Sequence, residues 1–382
     1  MLIHPLSKKS VPSKHQKFWL GVFYFFASII YLPLKLIITF ASLSFATLLA
    51  LIVNANTDPK QPIPPKRYCL RKFGQALTGK LLCIGHGLFI KEVNPHTRDK
   101  SADVVVGNHC SYLDALVMLD KSGGSAIVNQ GMADFWFLRT LLKVSRAIVV
   151  QRPALGSDSE SVKKKRAKTA RDFGIDDQGS ITQMMQKRVN ERNNGVDWPQ
   201  IIIFPEGTIS NSEALLRFRT SVFALDGCKI QPFSLKYHTV FNLQWLTCSG
   251  LQAMFRSFLN PFGYIEVEWL EPQIRGENQS AQEFADQVGI TIANNLGGVY
   301  TKYKNDDISY FLGWKPIEKC GEEYIKDFGA LGTFADVKRK LGKGKRYELV
   351  HADVQTLLSE NQSQKEENVE VNGGVIVEEV LS

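Results

Sequence analysis

Residues 198–211 read WPQIIIFPEGTISN. The run Ile201–Phe204 is β-branched or aromatic and carries no charge, the pattern of a strand buried on both faces. Pro205 cannot donate to a ladder and ends the strand, and Gly207 lets the backbone turn with its N–H groups exposed. Such a turn, at the carboxyl end of a strand, is where α/β sheets bind ligands, and exposed amides suit phosphate. The pentapeptide Phe204-Pro205-Glu206-Gly207-Thr208 would arise by chance in a chain this long with odds on the order of one in ten thousand.

Short apolar runs of the same kind recur on either side: Val104–Val106, Ala147–Val150, Ile230–Leu235 and Tyr264–Trp269. Helix-like stretches separate them, among them Leu113–Lys121, Phe135–Lys143 and the polar Ser180–Arg192. Apolar strands alternating with helices predict an α/β fold, a mostly parallel sheet flanked by helices. Residues 153–197 form a charged insertion, read as a solvated excursion containing a helix. Residues 241–262 suit an interfacial or core helix better than a membrane span. From 276 to 358 a helical region is expected, and the Glu-rich stretch 359–382 reads as a disordered acidic tail.

The stretch VVVGNHCSYLDALVML, 104–119, offers the chemistry. A strand runs into Gly107-Asn108, then His109, with Asp114 five residues on where a helix begins. The Asp114 carboxylate can accept the proton on one ring nitrogen of His109, leaving the other free to take a proton from a hydroxyl. The spacing is common by itself, so a helix-terminal histidine with a solvated aspartate stays open on these residues alone. Cys110 and Ser111 stand beside the histidine, but chain neighbours point apart, which disfavours either as a covalent nucleophile.

Composition bounds the rest. The 382 residues are 44% hydrophobic and 22% charged, which excludes wholesale disorder. Forty-six Lys and Arg against 38 Asp and Glu give +8, a balance that favours anionic partners. No nucleic-acid recognition module surrounds that charge, so nucleic acid is not an expected partner. The six cysteines are scattered and form no C-x-x-C pair, so neither a metal site nor a disulfide framework is predicted.

From Trp19 to Val53 the chain is apolar with a single charge, Lys35. As one helix the run would reach about 52 Å, beyond a hydrocarbon core of about 30 Å. Pro33 and Lys35 predict a bend there. Lysines precede the run in the basic segment 1–18, and Lys60, Lys66, Arg67, Arg71 and Lys72 follow it in the linker and amphipathic stretch 54–99. Positive charge on both sides predicts a membrane-embedded helical hairpin with both ends cytoplasmic. A single tilted span is the competing reading.

Taken together, the two motif blocks resemble the PlsC-like glycerolipid acyltransferase superfamily, whose signature is an H-x4-D block followed by FPEGT. Here these are His109–Asp114 and Phe204–Thr208. RAIVVQR, 146–152, is similar to the family strand that ends in an arginine contacting the acceptor, which puts Arg152 in that place. IQPFSLKY, 230–237, is similar to its proline-containing strand. The likeness covers about 100–275 and looks closest to the lysophosphatidylcholine acyltransferase branch, which shares the WPQI-x-IFPEGT string. Where many lysophosphatidic acid acyltransferases continue FPEGT with Arg-Ser, this chain has Ile209-Ser210, which argues for a choline- or ethanolamine-type headgroup. No EF-hand loop is present, so calcium regulation is not carried over.

The resemblance implies a membrane enzyme, in the endoplasmic reticulum with its catalytic domain on the cytosolic side. Its reaction would move an acyl group from acyl-CoA, as co-substrate, to the hydroxyl of a lysophospholipid. His109 would be the general base and Asp114 its orienting partner. Arg152, Glu206, Gly207 and Thr208 would bind the acceptor's phosphate region, with Glu206 orienting Arg152 or a hydroxyl. No cofactor or metal is expected. Acylation of lysophosphatidic acid or glycerol 3-phosphate, and a non-catalytic lipid-binding membrane protein, are the alternatives.

Overall fold

The computed structural model describes residues 2–8, 14–150, 159–175, 180–239, 242–246, 249–341 and 349–360. Two long helices, α1 (Lys14–Asn54) and α2 (Pro65–Gly85), precede the first strand, β1 (Leu88–Val93). Then come β2 (Val104–Gly107), α3 (Asp114–Lys121), β3 (Ser125–Asn129), a helix at Trp136–Val144 and β4 (Ile148–Val150). Helices at Glu160–Phe173 and Ile181–Asn193 lead to β5 (Ile201–Ile203), β6 (Ala214–Leu215) and β7 (Lys229–Thr239). After a helix at Gly250–Leu259 the chain forms β8 (Gly263–Trp269), β9 (Gln273–Ile274), a helix at Ala281–Leu296 and β10 (Val299–Tyr300).

The main sheet runs β1-β8-β7-β2-β5-β3-β4, with β9 beside β7, and β6 pairs β10 separately. Every pairing in it is parallel except those of β7 with β8 and β9. The fold is therefore α/β with a mostly parallel sheet between helices. Strand residues alternate between two buried layers. Val104, Val106 and Ile201 pack with Met185, Val189, Phe284 and Val288, while Val105 and Ile202 pack with Cys83, Leu113, Val117 and Met118. A sheet covered on both faces explains why its central strands are uninterrupted β-branched runs.

Two expectations change here. The excursion 153–197 is not wholly solvated. Its second helix begins at a Ser180/Gln183 capping box and buries Met185 and Val189 in the core, so the polar residues are one face of an amphipathic helix. The helical hairpin is also corrected, because α1 is a single continuous helix of 41 residues with Pro33 inside it. Lys35 does not mark a bend. It is buried against the body of the protein, where its ammonium donates to the Asn260 carbonyl, and Thr39, Ser42, Ala46, Ala50 and Val53 continue the same buried stripe. Tertiary packing along that stripe lets the helix continue past a proline that removes only one backbone bond.

Beyond β10, short helices at Asn305–Phe311, Glu322–Phe328, Phe334–Lys340 and 351–360 form a second apolar cluster. Residues 2–8 are part of it. Leu6 packs beside Phe311, Tyr324 and Phe328, and Lys8 pairs with the chain at Leu349–His351 through backbone bonds of 2.9 Å. Asn211 clamps the same strap, its side-chain amide donating to the His4 and Ser7 carbonyls and its backbone N–H to Pro5. The acidic-tail expectation from 361 onward lies outside the described residues.

Candidate active site

Strands β2 and β5 are hydrogen-bonded neighbours running the same way, with Val106 opposite Ile203. The two motif loops therefore leave the sheet side by side, at the carboxyl edge where open α/β sheets place their ligand sites. His109 Nδ1 lies 2.8 Å from Asp114 Oδ2. The Asp114 carboxylate is fully buried while the imidazole is 26% exposed. With Nδ1–H given to the carboxylate, Nε2 is left as the ring's acceptor. Phe204 stacks on the imidazole, centroids 4.6 Å apart and planes 19° from parallel, so the ring is held by its edge and by its face.

Asp114 is the hub of this loop. Its Oδ2 also accepts the backbone N–H groups of Cys110 at 2.8 Å and Ser111 at 3.0 Å, and its Oδ1 accepts the Tyr237 hydroxyl. Burial and the neighbouring carboxylate push the Tyr237 hydroxyl's pKa well up, which keeps it a donor. In the sequence Tyr237 stands out only as the end of the strand motif IQPFSLKY. Its role depends on β7 lying parallel beside β2, a long-range pairing that local pattern does not reveal. Asn108 joins the same strands, accepting the Leu235 N–H at 2.8 Å and donating to the Leu235 carbonyl at 3.1 Å.

The Glu206 side chain is fully buried. One carboxylate oxygen accepts the His109 N–H and the other the Leu216 N–H, both at 2.9 Å, and the Ser210 hydroxyl joins them. Glu206 thus ties the FPEGT turn to the histidine loop, assisted by the Ser210 N–H to His109 carbonyl bond of 2.8 Å. Burial pushes its carboxyl group up to about 7, and the hydrogen bonds oppose that rise. Gly207 and Thr208 sit at the surface of the turn, Gly207 in the left-handed region with φ +70°. Arg152 lies outside the described residues.

Neither neighbour of His109 is placed as a nucleophile. Cys110 is 1% exposed, and burial together with Asp114 raises its thiol, disfavouring the thiolate. The Ser111 hydroxyl is fully buried and donates to the Leu243 carbonyl. Among the described residues no three His, Cys, Asp or Glu side chains gather as a metal site would need. A cavity of about 550 Å³ opens behind the dyad, between Cys110, Ser212, Tyr237, Leu243 and Gly298, and His109 is not in its wall.

Residues 90–236, which hold both motif loops, match the family model described as Acyltransferase. That part of the chain is thus similar to the acyltransferase family. Lysophospholipid acyltransferase LPEAT2 of Arabidopsis thaliana is 24% identical over 279 residues, 72% of this chain and 47% of that one. A lysophosphatidylcholine acyltransferase of Drosophila melanogaster is 26% identical over 217 residues, covering 56% and 36% of the two chains. Lysophosphatidylcholine acyltransferase 1 of Homo sapiens is 24% identical over 309 residues, covering 78% and 53%. The chain thus spans about half the length, or less, of these curated relatives. Among solved structures, the 1-acyl-sn-glycerophosphate acyltransferase PlsC of Thermotoga maritima is similar at 15% identity and a TM-score of 0.42, covering 74% of this chain and 96% of that one.

Proposed function

We propose that this acyltransferase moves a fatty acyl group from acyl-CoA to the free hydroxyl of a lysophospholipid. The observation that carries the reading is the 2.8 Å His109–Asp114 pair beside the Pro205–Gly207 turn, on adjacent parallel strands. In the reaction, His109 Nε2 takes the acceptor's hydroxyl proton while that oxygen bonds to the thioester carbonyl carbon. The resulting tetrahedral oxyanion collapses with cleavage of the C–S bond, and the departing CoA sulfur recovers the proton from the imidazolium. Asp114 fixes the tautomer and offsets the charge on the ring. Ile209, in place of an arginine, and the printed names of the relatives favour an acceptor whose phosphate is a diester. The test is purified full chain in nanodiscs with labelled acyl-CoA and a panel of lysolipids. Transfer to lysophosphatidylcholine or lysophosphatidylethanolamine is expected. No transfer to any acceptor would refute the reading, and strong preference for lysophosphatidic acid would overturn the argument from Ile209.

The same reading puts α1 in the membrane. Ile29–Asn54 is long and apolar enough to cross a bilayer by length and composition, and Ile30, Leu34, Ile37, Phe40, Leu48 and Leu51 are exposed on its free face. Residues 2–8 are nevertheless built into the same body that packs against the rest of α1. Six residues of chain from Lys8 to Lys14 reach at most about 20 Å, short of the roughly 30 Å hydrocarbon core. We therefore read α1 as lying along one face of the bilayer with both ends on the catalytic side. A cysteine reporter at the exposed Gln16, with the exposed Cys69 near the start of α2 as reference, tests this in sealed vesicles. Both are expected to react with an impermeant maleimide from the same side. Labelling of Gln16→Cys only after permeabilisation would mean that the helix crosses.

A further inference from the structure

We infer that Arg219 is a phosphate-binding residue of the transfer site, laid over the Gly207 turn to hold a phosphate of the acceptor lipid or of the CoA donor. The inference deepens the proposed function and rests on it. The guanidinium lies against the turn: a Cβ built on Gly207 would stand 2.7 Å from Arg219 Nε and 3.2 Å from its Cζ, so the group packs on the bare face of the glycine. Gly207 also needs its φ of +70°, which side chains other than glycine rarely adopt. Both strands of the contact are anchored, because the Arg219 N–H donates to the Pro205 carbonyl at 2.9 Å and the Asn305 side chain donates to the Gly207 carbonyl at 2.6 Å.

The charge is available. Arg217, two residues earlier, is held bidentately by Asp286 at 2.8 and 3.2 Å, whereas the exposed Arg219 side chain makes no ion pair or hydrogen bond among the described residues. Beside it, the backbone N–H groups of Thr208 and Ile209 are likewise without a partner among the described residues. Two consecutive amides that follow the glycine contacted by this guanidinium, all without an acceptor among the described residues, make a set of donors of the kind that suits the oxygens of a phosphate. The buried Glu206 carboxylate does not compete, since both its oxygens are taken by backbone amides.

The test compares wild type with Arg219→Ala and Arg219→Lys in nanodiscs. Lysophosphatidylcholine is set against a monoacylglycerol of the same chain, and acyl-CoA against the corresponding acyl-pantetheine. Arg219→Ala is expected to raise KM for the phosphate-bearing partner about tenfold or more, with kcat changed far less and partial rescue by lysine. If the acceptor supplies the phosphate, the rise appears with lysophosphatidylcholine and not with monoacylglycerol. If CoA supplies it, the rise appears with acyl-CoA and not with acyl-pantetheine. KM values within twofold of wild type for both substrates would overturn the inference. Should wild type transfer nothing, the proposed function fails separately. Equilibrium binding of CoA and of lysophosphatidylcholine then decides Arg219, with unchanged affinity in Arg219→Ala refuting it. Arg219→Gln, with its unfolding midpoint recorded, guards against a folding defect in the alanine variant.

Discussion

Acyl transfer by His109→Ala is expected to fall by about 10²–10⁴-fold, the usual worth of a positioned general base. KM should move little, because in the proposed reaction the imidazole acts on the reacting hydroxyl and the donors at the FPEGT turn remain. Stability should change modestly, since the ring is partly exposed and its contacts are Asp114 and Phe204. Asp114→Asn should lose activity on a similar scale for two reasons. Every group around the carboxylate is a donor, namely His109 Nδ1, the amides of Cys110 and Ser111 and the Tyr237 hydroxyl. A carboxamide must point its own NH₂ at some of them, which frees the histidine tautomer and leaves buried donors facing each other. The asparagine variant should therefore also unfold at a clearly lower denaturant concentration, whereas the alanine variant should shift only modestly. Steady-state rates with labelled acyl-CoA, together with unfolding curves, separate the two. A His109→Ala protein that transfers at the wild-type rate would end the general-base account.

The second large effect is on stability in acid. His4 is fully buried among Phe311, Tyr324 and Phe328, accepts the Leu6 N–H on Nδ1 at 3.3 Å and reaches the Tyr324 hydroxyl with Nε2 at 3.1 Å. Burial, with His351 nearby, pushes its pKa down from 6.5 to about 3. The unfolded chain then binds a proton that the folded chain refuses. The strap's stability is complete above pH 6.5 and declines as pH falls through 6.5 toward 3, by about 5 kcal/mol in all. His86, lowered to about 4 by burial with Lys35 nearby, adds to the same trend over a narrower range. His4→Gln should be less stable than wild type at pH 7.5. Its unfolding free energy should also fall less steeply below pH 6.5, by about one proton. Urea unfolding in detergent between pH 7.5 and 4.5 measures both slopes, and parallel curves would show that His4 does not carry the effect.

Much of this protein was legible in one dimension. The strands around Val105, Ile202 and Phe233 are evident because a stretch buried on both faces must be continuously apolar, and the turn at Pro205–Gly207 because those two residues restrict and free the backbone locally. The order of the H-x4-D and FPEGT blocks placed two loops at strand ends. That β2 and β5 are neighbours could not be read, since periodicity reports which face of a strand is buried and not which strand lies beside it. The charge of Glu206 is visible in the sequence, but its burial among backbone amides is not. Tyr237 and Arg219 depend in the same way on contacts made far along the chain. The N-terminal strap is the extreme case. Residues 2–8 carry no periodic signal, and their docking against residues 211, 324 and 350 is what supports the proposal that both ends of the long apolar helix lie on one side. Local chemistry decides turns and buried faces, whereas partnership between distant segments is settled by which arrangement buries the most apolar surface while leaving the fewest polar groups unpaired.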